Sequence, residues 1–251
     1  IRNYGLNQTF ELFGITLLAS SLFIIFQKEN ITDKMISFSQ LSKKEQAIDL
    51  KKALYGLYQT SVTPLIFMLI LFCLVSNISF GMHYVSISNL YTNIAGWDHE
   101  ILTKIRSLGL YIGIFSAIGG GYLSDKYSPY KIIIISQLII ALTMISVFIL
   151  SGQISNLYIG SLILILLSVM GSFVMSASLS LCMGLSIKAI AATQFAFLMS
   201  IRHFSRIIGE WLAGLLDYLS ISINEIYLIM FLLSFLPILT IQRMMVLNKI
   251  R

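Results

Sequence analysis

Long apolar stretches alternate with short polar segments along the 251-residue chain. A bilayer core about 30 Å thick requires about 20 apolar residues per helix. Seven stretches approach that length, at residues 10–26, 62–85, 105–122, 132–150, 157–181, 193–218 and 223–241. The uninterrupted run at residues 162–167 lacks the alternation of a barrel strand. The pattern therefore predicts an all-α membrane protein with seven transmembrane helices.

The composition excludes a soluble domain. Hydrophobic residues make up 57% of the chain and charged residues 11%, with a mean hydropathy of +0.87. In soluble domains, about 45–50% of the residues are apolar and about 25% are charged. Cys73 and Cys182 lie in apolar runs without metal or redox spacing, so we expect them to pack as small hydrophobic residues. The net charge of +6 does not indicate nucleic-acid binding, because the excess lies in short loops.

The distribution of basic residues predicts the orientation. Twelve Lys and Arg residues occupy the loops after spans one, three and five and the C-terminal tail, and the alternate loops carry none. The positive-inside rule then places the C-terminus in the cytoplasm. The long loop at residues 27–61 also lies there, and a capping box at Ser42 and Glu45 predicts an amphipathic helix along the membrane surface.

A glycine-rich motif ends the third span at its cytoplasmic side. Glycines allow helices to approach closely, and an acid with nearby lysines can form charge-assisted bonds to a neighbouring helix. Gly121, Leu123, Asp125 and Lys126 match the loop motif of the major facilitator superfamily, which the segment resembles. Ser128 replaces the motif's last glycine, and Lys131 follows one place late. The resemblance implies a gating role for Gly121, Asp125, Lys126 and Lys131.

The span count suggests how the chain is divided. An odd number of spans, one of them separated by a long loop, suggests a six-plus-six transporter represented by helices 6–12. Residues 1–26 would be the last helix of an N-terminal half, residues 27–61 the cytoplasmic loop between halves, and residues 62–251 the complete C-terminal half. The rest of the N-terminal half would be a partner, and we expect these residues alone not to transport.

The sixth span carries a polar stripe. At 100° per residue, five residues lie within an arc of about 100°: Arg202, His203, Arg206, Glu210 and Asp217. Charges near the bilayer midplane are costly, so the stripe should face protein or water. Glu210 is within reach of Arg206, and the alternative is an internal ion pair without a further role. The surplus positive charge favours a cavity for an anionic substrate.

The residues at the start of this span resemble a particular family within the superfamily. Ala192, Thr193, Gln194, Phe195 and Ala196, followed by Arg206, resemble the AmpG family of muropeptide permeases. That resemblance implies a proton-linked symporter in the bacterial cytoplasmic (inner) membrane that imports anhydro-muropeptides from cell-wall turnover. Arg206 would anchor a carboxylate of this cargo, and Gln194 would bond sugar or amide groups. Arg202 and Glu210 lie outside the family pattern, and their burial and spacing suggest a second carboxylate anchor and the proton carrier.

Several alternatives remain open. Asn77 could face the cavity as a substrate ligand or bond a neighbouring helix. Lys104 and Arg106 could line a substrate funnel or simply reach the membrane surface, and His83 and His99 are interpreted as interfacial rather than metal-binding. No metal, cofactor or soluble-type catalytic motif is expected. Functional alternatives are an acetyl-coenzyme A or other sugar or organic-anion carrier, or a non-transporting membrane receptor or enzyme.

Overall fold

The computed structural model describes residues 55–187 and 190–249, with residues 55–61 helical. The span predicted at residues 10–26 and most of the loop at 27–61 lie outside the described residues. The helices that follow are α1 (Pro64–Val75), α2 (Ile78–Ser88), α3 (His99–Tyr127), α4 (Pro129–Ile149), α5 (Leu157–Leu185), α6 (Ala191–Tyr218), α7 (Ile223–Leu233) and α8 (Phe235–Lys249).

These helices form six long spans, as predicted for residues 62–241. The helices α1 and α2 continue into a π-helical turn, Asn89–Ile94, and together form a 31-residue span. The pair α7 and α8 forms another, Ile223–Asn248. With α3, α4 and α5, five spans are long and apolar enough to cross a membrane. The sixth, α6, has 28 residues and carries the charged stripe.

Polar side chains fix where the spans begin at one end of the bundle. The Asp98 carboxylate accepts a hydrogen bond from the Glu100 backbone N–H at the start of α3, over 3.1 Å. Asn156 accepts from the Tyr158 N–H in the same way at α5, over 3.0 Å. Ser222 and Glu225 form a reciprocal capping box at α7. Each cap satisfies backbone groups that a helix terminus leaves without partners.

The first span is broken at Ser76 and Asn77, and α6 supplies hydrogen bonds at the break. The Asn77 backbone N–H donates to the Ser205 hydroxyl over 3.1 Å, and its side-chain amide donates to the Arg202 carbonyl over 3.3 Å. Unpaired backbone groups are costly inside a membrane, so a broken helix needs such partners from a neighbour. These hydrogen bonds at the break therefore connect the first span to α6.

Small residues allow α3 and α5 to pack closely. Along the contact, Gly109 faces Ser168, Gly113 faces Ser172, and Gly120 faces Ser176. A Cβ atom at Gly113 would lie 2.9 Å from the Ser172 hydroxyl. Ser168 and Ser172 donate to backbone carbonyls four residues back on α5, so neither polar group is left unpaired. Close approach through small residues is a common way for membrane helices to associate.

Two apolar clusters fill the bundle, one towards each end. Cys73 on α1 and Cys182 on α5 lie in one of them, fully buried, with their sulfur atoms 3.9 Å apart. Both are free thiols. The prediction that they pack as small hydrophobic residues is confirmed.

Candidate functional site

Two glycines bring α2 and α6 into direct backbone contact. A Cβ atom at Gly81 would collide with the carbonyl oxygen of Arg206, and one at Gly209 would collide with that of Ile78. No larger residue can occupy either position unless the helices move apart. The backbone of Arg206 is therefore held against α2, about one helical turn from Tyr84.

Tyr84 is flanked by two arginines from different helices. The Arg206 guanidinium carbon on α6 lies 4.3 Å from the centroid of the Tyr84 ring. The Arg106 guanidinium carbon on α3 lies 5.3 Å from the same centroid. Both distances are within the range of about 6 Å in which a cation is attracted to an aromatic face. The Tyr84 ring therefore attracts guanidinium groups from two different helices.

These three residues line a cavity of about 410 Å³. Its walls are mainly apolar, with contributions from Phe80 and Ile87 on α2, Leu110 on α3, and Leu164 and Leu167 on α5. His83 and Ser168 are its remaining polar lining residues. A largely apolar cavity with a few convergent polar groups is typical of a small-molecule site.

Arg206 also forms an ion pair with Glu210 along α6. Its Nε donates to a Glu210 carboxylate oxygen over 2.8 Å, as the four-residue spacing predicts. The two side chains are 43% and 33% exposed, so neither is sealed among apolar neighbours. Glu210 accepts a hydrogen bond from the Nε of Arg206 only. The two terminal nitrogens of Arg206 form no hydrogen bond with other described residues.

His83 lines the buried side of the cavity. It is buried, and its Nδ1 is 2.9 Å from the Tyr227 hydroxyl on α7. The two rings pack edge to face, with centroids 5.8 Å apart. The structure buries this side of α2 under α7, and the expectation that His83 lies near the outer surface of the membrane stays a prediction.

The polar stripe of α6 does not form one continuous surface. Arg202 is only 4% exposed and packs between helices, with its Nη1 3.5 Å from the Met175 carbonyl on α5. Its Nε has no hydrogen-bond partner among the described residues. His203 and Asp217 are exposed. Arg206 and Glu210 are thus the stripe residues that the structure brings together with the cavity residues.

The other two predicted ligands also bond to neighbouring backbone. Gln194 is 2% exposed, and its side-chain oxygen accepts from the Ile187 N–H over 3.0 Å. Asn77 bonds α6 at the break in the first span, which was one of its two predicted positions. Neither residue lines the cavity around Tyr84. Their assignment as substrate ligands stays a prediction.

Comparison with known families identifies the chain. The sequence model of the Major Facilitator Superfamily matches residues 2–210. The chain belongs to the Major Facilitator Superfamily. It is therefore a secondary transporter that lies in a lipid membrane, crosses it several times and binds a small-molecule substrate. Superfamily members are generally not enzymes. A comparison with curated proteins finds no match.

The superfamily motif lies where α3 meets α4. Asp125, Lys126 and Lys131 are exposed and form no ion pair with other described residues. The Lys126 ammonium lies 5.3 Å from the Tyr127 ring centroid, and a Cβ atom at Gly121 would meet no atom within 4 Å. None of the described helices covers this surface. The gating role of the four residues stays a prediction.

Ser128 takes the motif's last glycine position and has a backbone conformation that favours glycine. Its φ is 120°, a value that residues with a side chain rarely adopt. The residue ends α3 and precedes Pro129, the first residue of α4. The motif's glycine is thus explained by the sharp turn between these two helices.

Sequence reasoning missed Tyr84 and gave Arg106 two alternatives. Lys104 pairs with Glu100 across one turn, over 2.8 Å. Arg106 has no acidic residue three or four places away in either direction, although it lies inside an apolar span. The sequence therefore already showed that Lys104 has an acidic partner one turn away and that Arg106 has none. Nothing in the sequence indicated that Tyr84 would lie beside it.

Proposed function

We propose that this transporter imports an anionic cell-wall degradation product, an anhydro-muropeptide, together with protons. The observation that carries the proposal is the Arg206–Glu210 ion pair, which borders a cavity inside a membrane bundle. Ionisable residues in a membrane interior are costly and usually functional. The location would be the bacterial inner membrane, with the C-terminus in the cytoplasm as the loop charges predict.

The charge of the cavity supports an anionic cargo. Arg106 and Arg206 contribute two positive charges, and Glu210 balances one of them. A site with surplus positive charge in a medium of low dielectric attracts an anion more strongly than the same groups in water would. A carboxylate of the muropeptide could take the exposed edge of Arg206, because guanidinium groups bind carboxylates in a bidentate manner.

Glu210 is the proposed proton carrier because of how it holds Arg206. While ionised, it accepts the hydrogen bond from the Arg206 Nε. Protonation would remove its charge and weaken this bond, so Arg206 would be free to turn to the cargo. Proton uptake and cargo binding would then favour each other, which is the linkage that a symporter needs.

The remaining predicted residues have supporting roles in this proposal. Arg202, Gln194 and Asn77 hold α6 to its neighbours in the present conformation, and they would meet the cargo where that interface opens. The motif residues Gly121, Asp125, Lys126 and Lys131 are open to contact with an N-terminal half. Rocking of the two halves around the cavity would carry the cargo across.

The test is uptake of labelled anhydro-muropeptide by the full-length protein in proteoliposomes, with and without an inward proton gradient. We expect the gradient to stimulate uptake by the native protein. Arg206→Ala should abolish binding, whereas Glu210→Gln should abolish the response to the gradient and retain exchange of cargo. Glu100→Gln is a matched control, because Glu100 is also half of a one-turn ion pair but lies at the exposed start of α3.

Two results would contradict parts of the proposal. Gradient-driven uptake that survives in both Arg206→Ala and Glu210→Gln would remove the assigned roles. Absence of muropeptide uptake by the native protein would remove the cargo.

A second candidate is a carrier of acetyl-coenzyme A or another organic anion. It is favoured by the apolar walls of the cavity, where Leu110, Leu164 and Leu167 offer few groups to sugar hydroxyls. Competition binding separates the two candidates. Displacement of a bound probe by an acyl-coenzyme A but not by an anhydro-muropeptide would favour the second.

A further inference from the structure

Arg106 has no carboxylate partner among the described residues, although it lies within a transmembrane helix. It is about seven residues inside α3, or about 10 Å from the start of the helix. The ion pairs of the described residues are Lys104–Glu100 and Arg206–Glu210. Arg106 is the second residue of the apolar stretch 105–122, and a guanidinium near the edge of a span is expected to face an anion or water rather than lipid. The charge of Arg106 is directed instead to the Tyr84 ring at the cavity wall.

The other polar groups of the cavity are partly engaged by protein neighbours. The Ser168 hydroxyl donates to the Leu164 carbonyl over 3.0 Å. His83 is bonded to the Tyr227 hydroxyl, and Arg206 gives only its Nε to Glu210. The lining therefore offers a ligand two guanidinium groups, the Nε2 of His83, an aromatic face and apolar walls.

We propose that Arg106 and Arg206 together bind one carboxylate of the cargo beside the Tyr84 ring, so that this half of the transporter recognises the acidic group and not the sugar hydroxyls. This inference rests on the proposed function and adds Arg106 as a binding residue and the carboxylate as the specificity determinant. The favoured ligand class is an organic carboxylate with an apolar or weakly polar body. Two guanidinium groups on one carboxylate provide charge-assisted bonds from opposite helices, α3 and α6.

Tyr84 is a positioning residue in this site. Its ring face attracts both cations and limits where their flexible side chains can lie, which reduces the entropy lost when the ligand binds. The ring supplies this effect, and the hydroxyl does not. Tyr84→Phe should therefore bind like the native protein, whereas Tyr84→Ala should bind more weakly.

Binding of matched probes to the full-length protein in detergent tests the proposal. The probes are N-acetylmuramic acid, N-acetylglucosamine, which lacks the lactyl carboxylate, and hexanoate, which lacks the sugar. We expect the first and third to bind, and Arg106→Ala to weaken both about tenfold or more, a usual effect of losing a hydrogen bond to a charged group. Lys104→Ala is the matched control, because Lys104 lies two residues away on the same helix and pairs with Glu100.

Three outcomes would overturn the inference. They are native affinity in Arg106→Ala, equal affinity for N-acetylglucosamine and N-acetylmuramic acid, and no binding of either carboxylate by the native protein. A weakening in Tyr84→Phe as large as in Tyr84→Ala would remove the positioning role.

These binding results are independent of the transport assay. Suppose that carboxylate binding depends on Arg106 while uptake does not respond to the proton gradient. That combination would support the anion site and contradict the proposed proton coupling. Gradient-driven muropeptide uptake that is indifferent to Arg106→Ala would remove the anion site and leave the proposed function standing.

Discussion

Gly81 on α2 lies directly against the carbonyl oxygen of Arg206 on α6. This contact sets the distance between the two helices at the level of the cavity, and it directs the Arg206 side chain to Tyr84, which is one turn further along α2. The cation–aromatic contact therefore depends on the backbone contact. Membrane helices use such glycine contacts to approach more closely than side chains would allow.

Gly81→Ala should separate α2 from α6 and disturb the cavity. The new Cβ atom would meet backbone rather than a movable side chain, so we expect a loss of roughly 1–3 kcal/mol in the free energy of unfolding. Carboxylate binding should weaken as well, because Arg206 would move away from Tyr84. Thermal unfolding in detergent and ligand titration measure the two effects.

Gly184→Ala is the control for this substitution. Gly184 lies in α5, and a Cβ atom there would meet no atom within 4 Å. Alanine should then be neutral or stabilise by up to about 1 kcal/mol through its higher helix propensity. Equal stability of the Gly81 and Gly184 variants would contradict the close contact.

Gly113 and Ser172 should be coupled energetically across α3 and α5. Gly113→Ala places a methyl group 2.9 Å from the Ser172 hydroxyl, and we expect a cost of about 1 kcal/mol. Ser172→Ala removes that hydroxyl, so adding Gly113→Ala to it should cost less. A double-mutant cycle on the free energy of unfolding measures the coupling. Additive effects would mean that the two residues do not touch.

Cys73 and Cys182 should resist alkylation in the folded protein. Both side chains are fully buried between α1 and α5. A membrane-permeant maleimide should label neither thiol until the protein is denatured, and mass spectrometry counts the added groups. A cysteine introduced at exposed His203 provides the positive control. Rapid labelling of the native thiols at the rate of the control would contradict the packing.

Hydropathy was sufficient to find the spans of the described residues, because the free energy of transfer of each apolar stretch into lipid depends only on that stretch. The Arg206–Glu210 pair was also predictable, since residues four apart on a helix are neighbours. Arg202 lies on the same stripe as Arg206, yet α5 and the broken first span cover it. The stripe alone could not show which of its members a neighbouring helix would bury.

The cavity depends on contacts between residues that are distant in the sequence. Glycines set the separation of α2 from α6, where Tyr84 meets Arg206, and Arg106 reaches the same ring from α3. The sequence does not show which helix packs against a given glycine. The contact between His83 and Tyr227 was likewise not predictable, since the sequence did not indicate that α7 would cover this residue. Pairing between helices was therefore the missing information.

Ser128→Gly should stabilise the junction between α3 and α4. Ser128 has a φ of 120°, where a side chain costs of order 1–3 kcal/mol. Glycine removes this cost but loses more entropy on folding, so we expect a net gain of about 1 kcal/mol. Ser128→Ala retains a Cβ atom in the same conformation and should give no gain. Chemical denaturation of the three proteins measures the difference, and equal gains for glycine and alanine would show that the side-chain hydroxyl, and not the backbone conformation, limits stability here.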